Sequence, residues 1–286
     1  MNKHVLLVDG MALLFRAFYA TAMNNNFMIN SKGTPTNAIH GFIRHLLTAT
    51  NTFQPSHVIC CWDMGSHTFR NDLYSEYKAN RGAPPEELIP QFDLVKEVTE
   101  AMDIPNVGVK GFEADDCIGT LALTYQGEAD VTILTGDQDI LQLLDDGIRV
   151  ALLKKGYGNY DVYESDRFLE EKGITPKQMI DLKAMMGDSS DNYPGVRGVG
   201  EKTALKLLIN HGSLDAILDN LDTLTTAQKT KFENDLEMIH LLRKLAEIHC
   251  QAGVTCDLND AEFKMNRERV IEKFNELEFK RLGEYV

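Results

Sequence analysis

The sequence predicts an α/β protein with a mainly parallel central sheet flanked by helices, a helical arch inserted into it, and a C-terminal helical subdomain. Three observations carry this. Short apolar runs alternate with helical patterns through the first half of the chain. A long polar stretch at residues 64–92 interrupts that rhythm. From about residue 165 onward only helical patterns remain.

His4-Val-Leu-Leu-Val8, His57-Val-Ile-Cys-Cys-Trp62, Val107-Gly-Val109 and Val131-Thr-Ile-Leu134 read as strands. They are short and β-branched, and they do not alternate polar with apolar residues, as expected of a parallel sheet covered on both faces. Met11 to Ala22, Thr36 to Phe53 and Ala114 to Tyr125 read as the intervening helices, with Ile39, Phe42, Ile43, Leu46 and Leu47 on one face of the second. This β-α order implies right-handed crossovers. Residues 64–92, with Thr68-Phe-Arg70, Tyr74, Tyr77-Lys78, Arg81-Gly82 and Pro84-Pro85, are too long and polar for a compact crossover and read as a flexible arch with helical parts. Thr175-Pro176 is expected to open a helix reaching Gly187. Further helices are expected at 200–209, 213–220, 226–247 and 267–276. The expected division is 1–165 for the α/β unit and 166–286 for the helical unit, with a helix–hairpin–helix at 188–220.

The chain has 286 residues, 43% hydrophobic and 25% charged, an ordinary globular composition. No apolar run is long enough to span a bilayer, and the apolar stretch after Met1-Asn2-Lys3-His4 is too short for a secretory signal, so a cytoplasmic protein with no membrane association is expected. Five cysteines without zinc-ligand spacing read as reduced, mostly buried thiols. The net charge of −14 argues against nucleic-acid binding unless the acids are concentrated in one metal site.

The acids are so placed. Asp9, Asp63, Asp137 and Asp139 follow predicted strands, and Glu113, Asp115 and Asp116 begin a helix just after another. Strand C-termini of an open α/β sheet converge on one edge, where ligands bind. Clustered carboxylates repel and protonate unless cations intervene. Divalent ions with oxygen ligands such as Mg²⁺ suit them, and the absence of His and Cys argues against zinc. Asp188 and Asp191 form a further pair beyond the 176–187 helix. Singly, an Asp at a strand end is better explained by a cap or a turn than by a metal, and helix-start capping competes at Glu113-Ala-Asp-Asp116.

Gly195-Val-Arg-Gly-Val-Gly-Glu-Lys-Thr-Ala204 is a glycine-rich turn opening a helix, with Lys202 and Lys206 placed as cations. Backbone N–H groups at such a helix start bind phosphate. A second helix follows His211-Gly-Ser213, which makes a helix–hairpin–helix element that contacts backbone rather than bases. A plain helix-packing turn is the competing explanation.

Together these stretches resemble the 5′-nuclease (flap endonuclease) family, in the bacterial form found as stand-alone enzymes and as the N-terminal domain of DNA polymerase I. The matching segments are Leu7-Val-Asp-Gly10, Thr68-Phe-Arg70, Tyr77-Lys78 with Asn80-Arg81, Gly111-Phe-Glu-Ala-Asp-Asp116, Thr135-Gly-Asp-Gln-Asp139, Lys183-Ala-Met-Met-Gly-Asp188 with Ser190-Asp-Asn192, and Gly195 to Ala204. The resemblance implies the PIN-like nuclease fold and two Mg²⁺ or Mn²⁺ ions. Asp9, Asp63, Glu113, Asp115 and Asp116 would serve one, and Asp137, Asp139, Asp188 and Asp191 the other. It assigns catalysis to Lys78, Arg81, Asp115 and Asp116. It assigns DNA contacts to Arg16, Arg70, Tyr77, Lys78, Arg81, Lys183, Arg197, Gly198, Gly200, Lys202, Thr203 and Lys206, with a K⁺ ion at the helix–hairpin–helix. Tyr77 would stack on an unpaired base or else pack the arch, and Arg16 would border the site or else form a surface ion pair.

The implied activity is metal-assisted phosphodiester hydrolysis at 5′ flaps and 5′ ends of DNA, for replication and repair. Branched or frayed DNA, RNA primer strands and a separate DNA polymerase are the implied partners of a monomeric, stand-alone enzyme. The tail Lys280-Arg-Leu-Gly-Glu-Tyr-Val286 does not resemble a linker. Two other functions compete. A PIN-like ribonuclease would not need the glycine-rich turn, and a non-catalytic DNA-junction binder would not need the carboxylates.

Overall fold

The computed structural model describes residues 3–22, 27–279 and 281–285. Met1, Asn2, Lys280 and Val286, which entered the reading of the termini, lie outside the described residues. The chain runs β1 (Lys3–Asp9), α1 (Gly10–Ala22), α2 (Asn37–Phe53), β2 (His57–Cys61), α3 (Phe69–Leu73), α4 (Gln91–Ala101), β3 (Asn106–Val107), α5 (Ala114–Tyr125), β4 (Ala129–Thr135), β5 (Ile148–Leu153) and β6 (Tyr160–Tyr163). There follow α6 (Ser165–Lys172), α7 (Gln178–Met186), β7 (Gly187–Asp188), β8 (Tyr193–Pro194), α8 (Glu201–His211), α9 (Leu214–Asp219), α10 (Thr226–Ala246) and α11 (Arg267–Glu276).

The six-stranded sheet has the order β3-β2-β1-β4-β5-β6. β1 to β5 pair in parallel, and β6 returns antiparallel to β5. Strand order therefore reverses at β1, between β2 and β4. That switch point is where an open α/β sheet leaves a crevice at its C-terminal edge.

β1, β2, β4 and β5 are buried on both faces, which explains their largely unbroken apolar runs. Val5, Leu7, Ile59, Val131 and Ile133 face a core shared with α5, α7, α8 and α10. Leu6, Val8, Val58, Cys60 and Leu134 face a second core built with α1, α2, α4 and α11. α1 starts directly from Asp9 without a loop. Gly10 permits this, since a Cβ there would lie 2.5 Å from the Trp62 ring. Trp62 is fully enclosed, stacks on Phe42 at 5.6 Å and donates from Nε1 to Asn106 Oδ1 at 2.7 Å.

Several elements depart from the sequence reading. The third strand is only Asn106–Val107, and at Gly108, just beyond it, the Trp62 carbonyl lies 2.5 Å from where a Cβ would sit. β5, β6 and α4 were not anticipated. α7 begins at Gln178, with Thr175-Pro176 in the turn ahead of it. The part beyond residue 165 is not purely helical, since β7 and β8 close a hairpin around residues 189–192.

The arch segment holds one helix, the five-residue α3. It is pinned to the β7–β8 hairpin. Lys78 N donates to Asp191 O at 2.8 Å, Asn80 Nδ2 to Ser189 O at 3.0 Å, and Asn192 Nδ2 to Glu76 O at 2.7 Å.

Candidate active site

Asp9 closes β1, Asp63 follows β2, Glu113 and Asp115 sit at the start of α5, and Asp137 follows β4. With Lys78 and Arg81 of the arch they line one cavity of about 160 Å³ at the switch point. The backbone fixes several of them. Asp9 accepts from Ala12 N at 2.9 Å and from the Thr135 hydroxyl at 2.7 Å. Asp63 accepts from Ala114 N at 2.6 Å.

A second group adjoins it. Lys183 Nζ lies 2.7 Å from Asp139 and 2.5 Å from Asp188. Asp191 accepts from Tyr77 Oη at 2.9 Å and Arg81 Nη2 at 2.7 Å. Lys78 Nζ lies 2.6 Å from Glu113 and 4.0 Å from Asp191. Lys78 holds φ at 55°, a left-handed conformation that costs on the order of 1 kcal/mol and is retained by its surroundings.

The electrostatics are unbalanced. Asp9, Asp63, Asp115 and Asp137 have no cation within ion-pair distance among the described residues. Burial raises the Asp9 pKa to about 6, with Asp63 and Asp137 adding repulsion. Burial, then Asp9 and Asp137, pushes Asp115 well above the usual carboxylate range. Asp139 rises to about 6 through burial and Asp137. Asp188 goes the other way. Burial alone would raise it, but hydrogen bonds from Lys183 and Ser190 hold it near 2.

Uncompensated, half-enclosed carboxylates with no nitrogen or sulfur donors fit hard divalent cations. Among the described residues no three of them converge on one point at ligand distance. They surround the cavity, which suits an ion that keeps water or phosphate in its shell. Lys78, Arg81 and Lys183 meanwhile neutralise the outer members of the set.

Three expected site residues are placed differently. Asp116 is completely buried. Its Oδ1 accepts from Arg70 and His249 N, both at 2.8 Å, and its Oδ2 from Arg70 at 2.8 Å and Glu113 N at 2.9 Å. Four bonds saturate a carboxylate, so Asp116 has nothing left for a metal or for catalysis. Arg70 is 2% exposed and also donates to the carbonyls of Leu245 and Glu247, so it does not reach DNA. Tyr77 is 3% exposed, with its ring beside Tyr193, and has no free face for a base. In sequence, only the position of Asp116 as the third residue of α5, opposite Glu113 as N-cap, signals a capping role.

The remaining expected DNA contacts are displayed. Arg197, Gly198, Gly200, Lys202 and Lys206 are exposed and Thr203 is half-buried, around the start of α8 with Gly200 as N-cap. Arg197 N donates to Asp235 at 2.8 Å. Lys231 of α10 donates to Gly198 O at 2.9 Å and joins this group, though nothing in sequence marked it. Arg16 is half-buried and donates to the Lys154 carbonyl. No carboxylate pairs with it among the described residues, which removes the surface ion pair.

Comparison with known proteins gives the family. Residues 4–173 match the family described as 5′-3′ exonuclease, N-terminal resolvase-like domain, and residues 174–269 match 5′-3′ exonuclease, C-terminal SAM fold. The chain is 59% identical over 268 residues to a 5′-3′ exonuclease of Bacillus subtilis, covering 94% of this chain and 90% of that one. It is 41% identical over 284 residues to DNA polymerase I of Streptococcus pneumoniae, covering 98% of this chain but only 32% of the polymerase. In fold it is similar to the bacteriophage T5 flap endonuclease solved in a pseudo-enzyme-product complex with DNA and metal ions, with TM-score 0.71, 23% identity, and coverage of 96% of this chain and 100% of that one. It is also similar to the catalytic core of Rad2 in complex with DNA substrate, with TM-score 0.60, 17% identity, and coverage of 96% and 86%. The chain belongs to the 5′-3′ exonuclease family.

Proposed function

We propose that this chain is a structure-specific 5′-nuclease that hydrolyses DNA phosphodiester bonds at 5′ flaps and 5′ ends with two divalent ions, Mg²⁺ or Mn²⁺. The carrying observation is the single cavity in which Asp9, Asp63, Glu113, Asp115 and Asp137 face Lys78 and Arg81. Support comes from the Bacillus subtilis relative, named as a 5′-3′ exonuclease, and from the T5 enzyme, solved with zinc in one structure and with DNA and metal ions in another.

Asp9, Asp63, Glu113 and Asp115 would hold one ion, and Asp137, Asp139, Asp188 and Asp191 the other. Bound there, the ions would polarise the phosphate and ease deprotonation of the attacking water. The chain's own groups do the rest. Lys78 and Arg81, now spent on Glu113 and Asp191, are within reach of a phosphate entering the cavity and would neutralise its charge. Lys183 keeps Asp139 and Asp188 together. The N–H groups and the Arg197, Lys202 and Lys206 cations at the start of α8 would grip the downstream duplex backbone. A K⁺ ion at that turn would share the Gly198 region with Lys231.

A cytoplasmic monomer acting also on RNA primer strands beside a separate polymerase completes the proposal. Only the pairing with a polymerase draws support from the comparisons, through the matching region within DNA polymerase I. The test is digestion of a 5′-flap duplex with Mg²⁺, with product sizes resolved, by the wild type and by Asp115→Asn and Asp188→Asn. Loss of cleavage by at least a hundredfold is expected for Asp115→Asn. Undiminished cleavage by both variants sinks the proposal.

A further inference from the structure

Beyond the carboxylate cavity, Arg16 and Arg44 both act on the ring of His45, and Lys155 lies in the loop whose Tyr157 meets Arg44. Arg16 comes from α1, Arg44 from α2 and Lys155 from the loop between β5 and β6. None has a carboxylate partner among the described residues, in a chain with 43 acidic and 29 basic residues. Their neighbour Lys154 is already paired, with Asp161 at 2.9 Å. The main chain of this loop and α1 are tied together by the bond from Arg16 to the Lys154 carbonyl.

The loop is built to meet α2. Gly156 and Gly158 hold φ at 91° and 72°, so the loop turns sharply on both sides of Tyr157. The Tyr157 ring sits over α2 where Gly41 has no side chain, its hydroxyl 3.6 Å from where a Cβ would stand. The Arg44 guanidinium lies 4.1 Å from the centre of that ring, and the His45 ring lies 4.3 Å from it. His45 is 4% exposed and its Nδ1 has no hydrogen-bond partner. Burial, then Arg16 and Arg44, hold its pKa near 4, so the ring is neutral and adds no charge to the group.

Like charges kept together without acids repel, and such a group marks a place where an anion is expected. The location indicates which anion. Arg16 is seven residues along α1 from Asp9, about 10 Å of helix rise, or a few nucleotide steps at about 3.4 Å each. β5 ends at the same sheet edge as β1 and β4, so the loop and the cavity share an edge. α1 and α2 pack on the opposite face of the sheet from α8 and its glycine-rich turn.

We infer that Arg16, Arg44 and Lys155, with Tyr157 holding the Arg44 guanidinium, form a backbone-phosphate site for the DNA strand as it leaves the carboxylate cavity, on the side away from the glycine-rich turn. This rests on the 5′-nuclease reading. Contacts on both sides of the cavity would fix which phosphate stops between the carboxylates, so the group sets register as well as affinity.

The test is binding of a 5′-flap duplex in EDTA, across a series of KCl concentrations, by wild type, Arg44→Ala, Lys155→Ala and the double variant. Each lost phosphate contact is expected to reduce the slope of log K against log salt by about 0.9, and the double variant by roughly twice that. Thermal melts of the same variants establish that they fold. In a second arm, single neutral methylphosphonate linkages are walked along each strand. At the contacted positions they are expected to weaken wild-type binding and leave the double variant unaffected. An unchanged salt slope in a folded double variant, or no linkage with such coupling, overturns the inference while wild-type flap cleavage still stands. A wild type that neither binds nor cleaves the flap overturns the nuclease reading and this inference together.

Discussion

Arg70 and Asp116 meet through two hydrogen bonds of 2.8 Å each, in a place that water does not reach. The pair bolts α3 to α5, and Arg70 extends it to the carbonyls of Leu245 and Glu247 at the end of α10.

Removing one member leaves a buried charge alone. Arg70→Ala and Asp116→Ala are each expected to destabilise the protein by about 3–5 kcal/mol, read from urea denaturation. Asp116→Asn is expected to cost stability equally with and without Mg²⁺. A loss confined to Mg²⁺ conditions would instead make Asp116 a ligand.

Asp115 behaves oppositely. Its carboxylate faces Asp9 and Asp137 with no cation at ion-pair distance among the described residues, and only Lys78, farther off, tempers the repulsion. Neutralising it relieves repulsion, so Asp115→Asn is expected to melt higher than wild type in EDTA by about 2–4 °C per kcal/mol gained. Mg²⁺ is expected to raise the wild-type melting temperature and to raise that of the variant less. Calorimetry with and without Mg²⁺ measures both.

His45 gives a pH signature. Burial and two arginines lower its pKa from 6.5 to about 4. Folding therefore favours the neutral ring, and this contribution is intact above pH 6.5 and lost as pH falls towards 4. Over that window wild type is expected to lose up to about 3 kcal/mol relative to His45→Leu. Parallel unfolding curves for the two proteins in that range would refute it.

Gly10→Ala places a methyl group 2.5 Å from the Trp62 ring. Overpacking of this kind costs about 1–3 kcal/mol, and here it also shifts the adjacent Asp9. Trp62 is the only tryptophan, so its fluorescence reports the displacement without a label. An unshifted emission maximum would show that α1 adapts.

Most of this architecture was legible because its signals are local. Unbroken β-branched runs mark strands buried on both faces, and acids after them mark one sheet edge. The placements missed depend on distant partners. A capping acid and a ligating acid look alike at the third residue of a helix, and only Arg70 and His249 N distinguish Asp116. Arg70 is tied to a carbonyl 175 residues away. β5 reads Ile-Arg-Val-Ala-Leu-Leu, an apolar run whose period does not separate strand from helix. β6 is a short edge strand with no fully buried residue. Tyr157 and Lys231 act through contacts with elements far off in sequence.

The reversal of strand order at β1 bears on when the chain becomes dangerous to its host. The cavity takes its first carboxylate from residue 9 and its last from residue 137, and the arch is anchored by residues 189–192. Non-local pairings of this kind close slowly, because the entropy of loop closure is lost before the contacts form. A nascent chain still emerging from the ribosome, or a proteolytic fragment cut between these segments, carries scattered acids and no cavity. The hydrolytic centre needs segments from residue 9 to residue 192 in place at once.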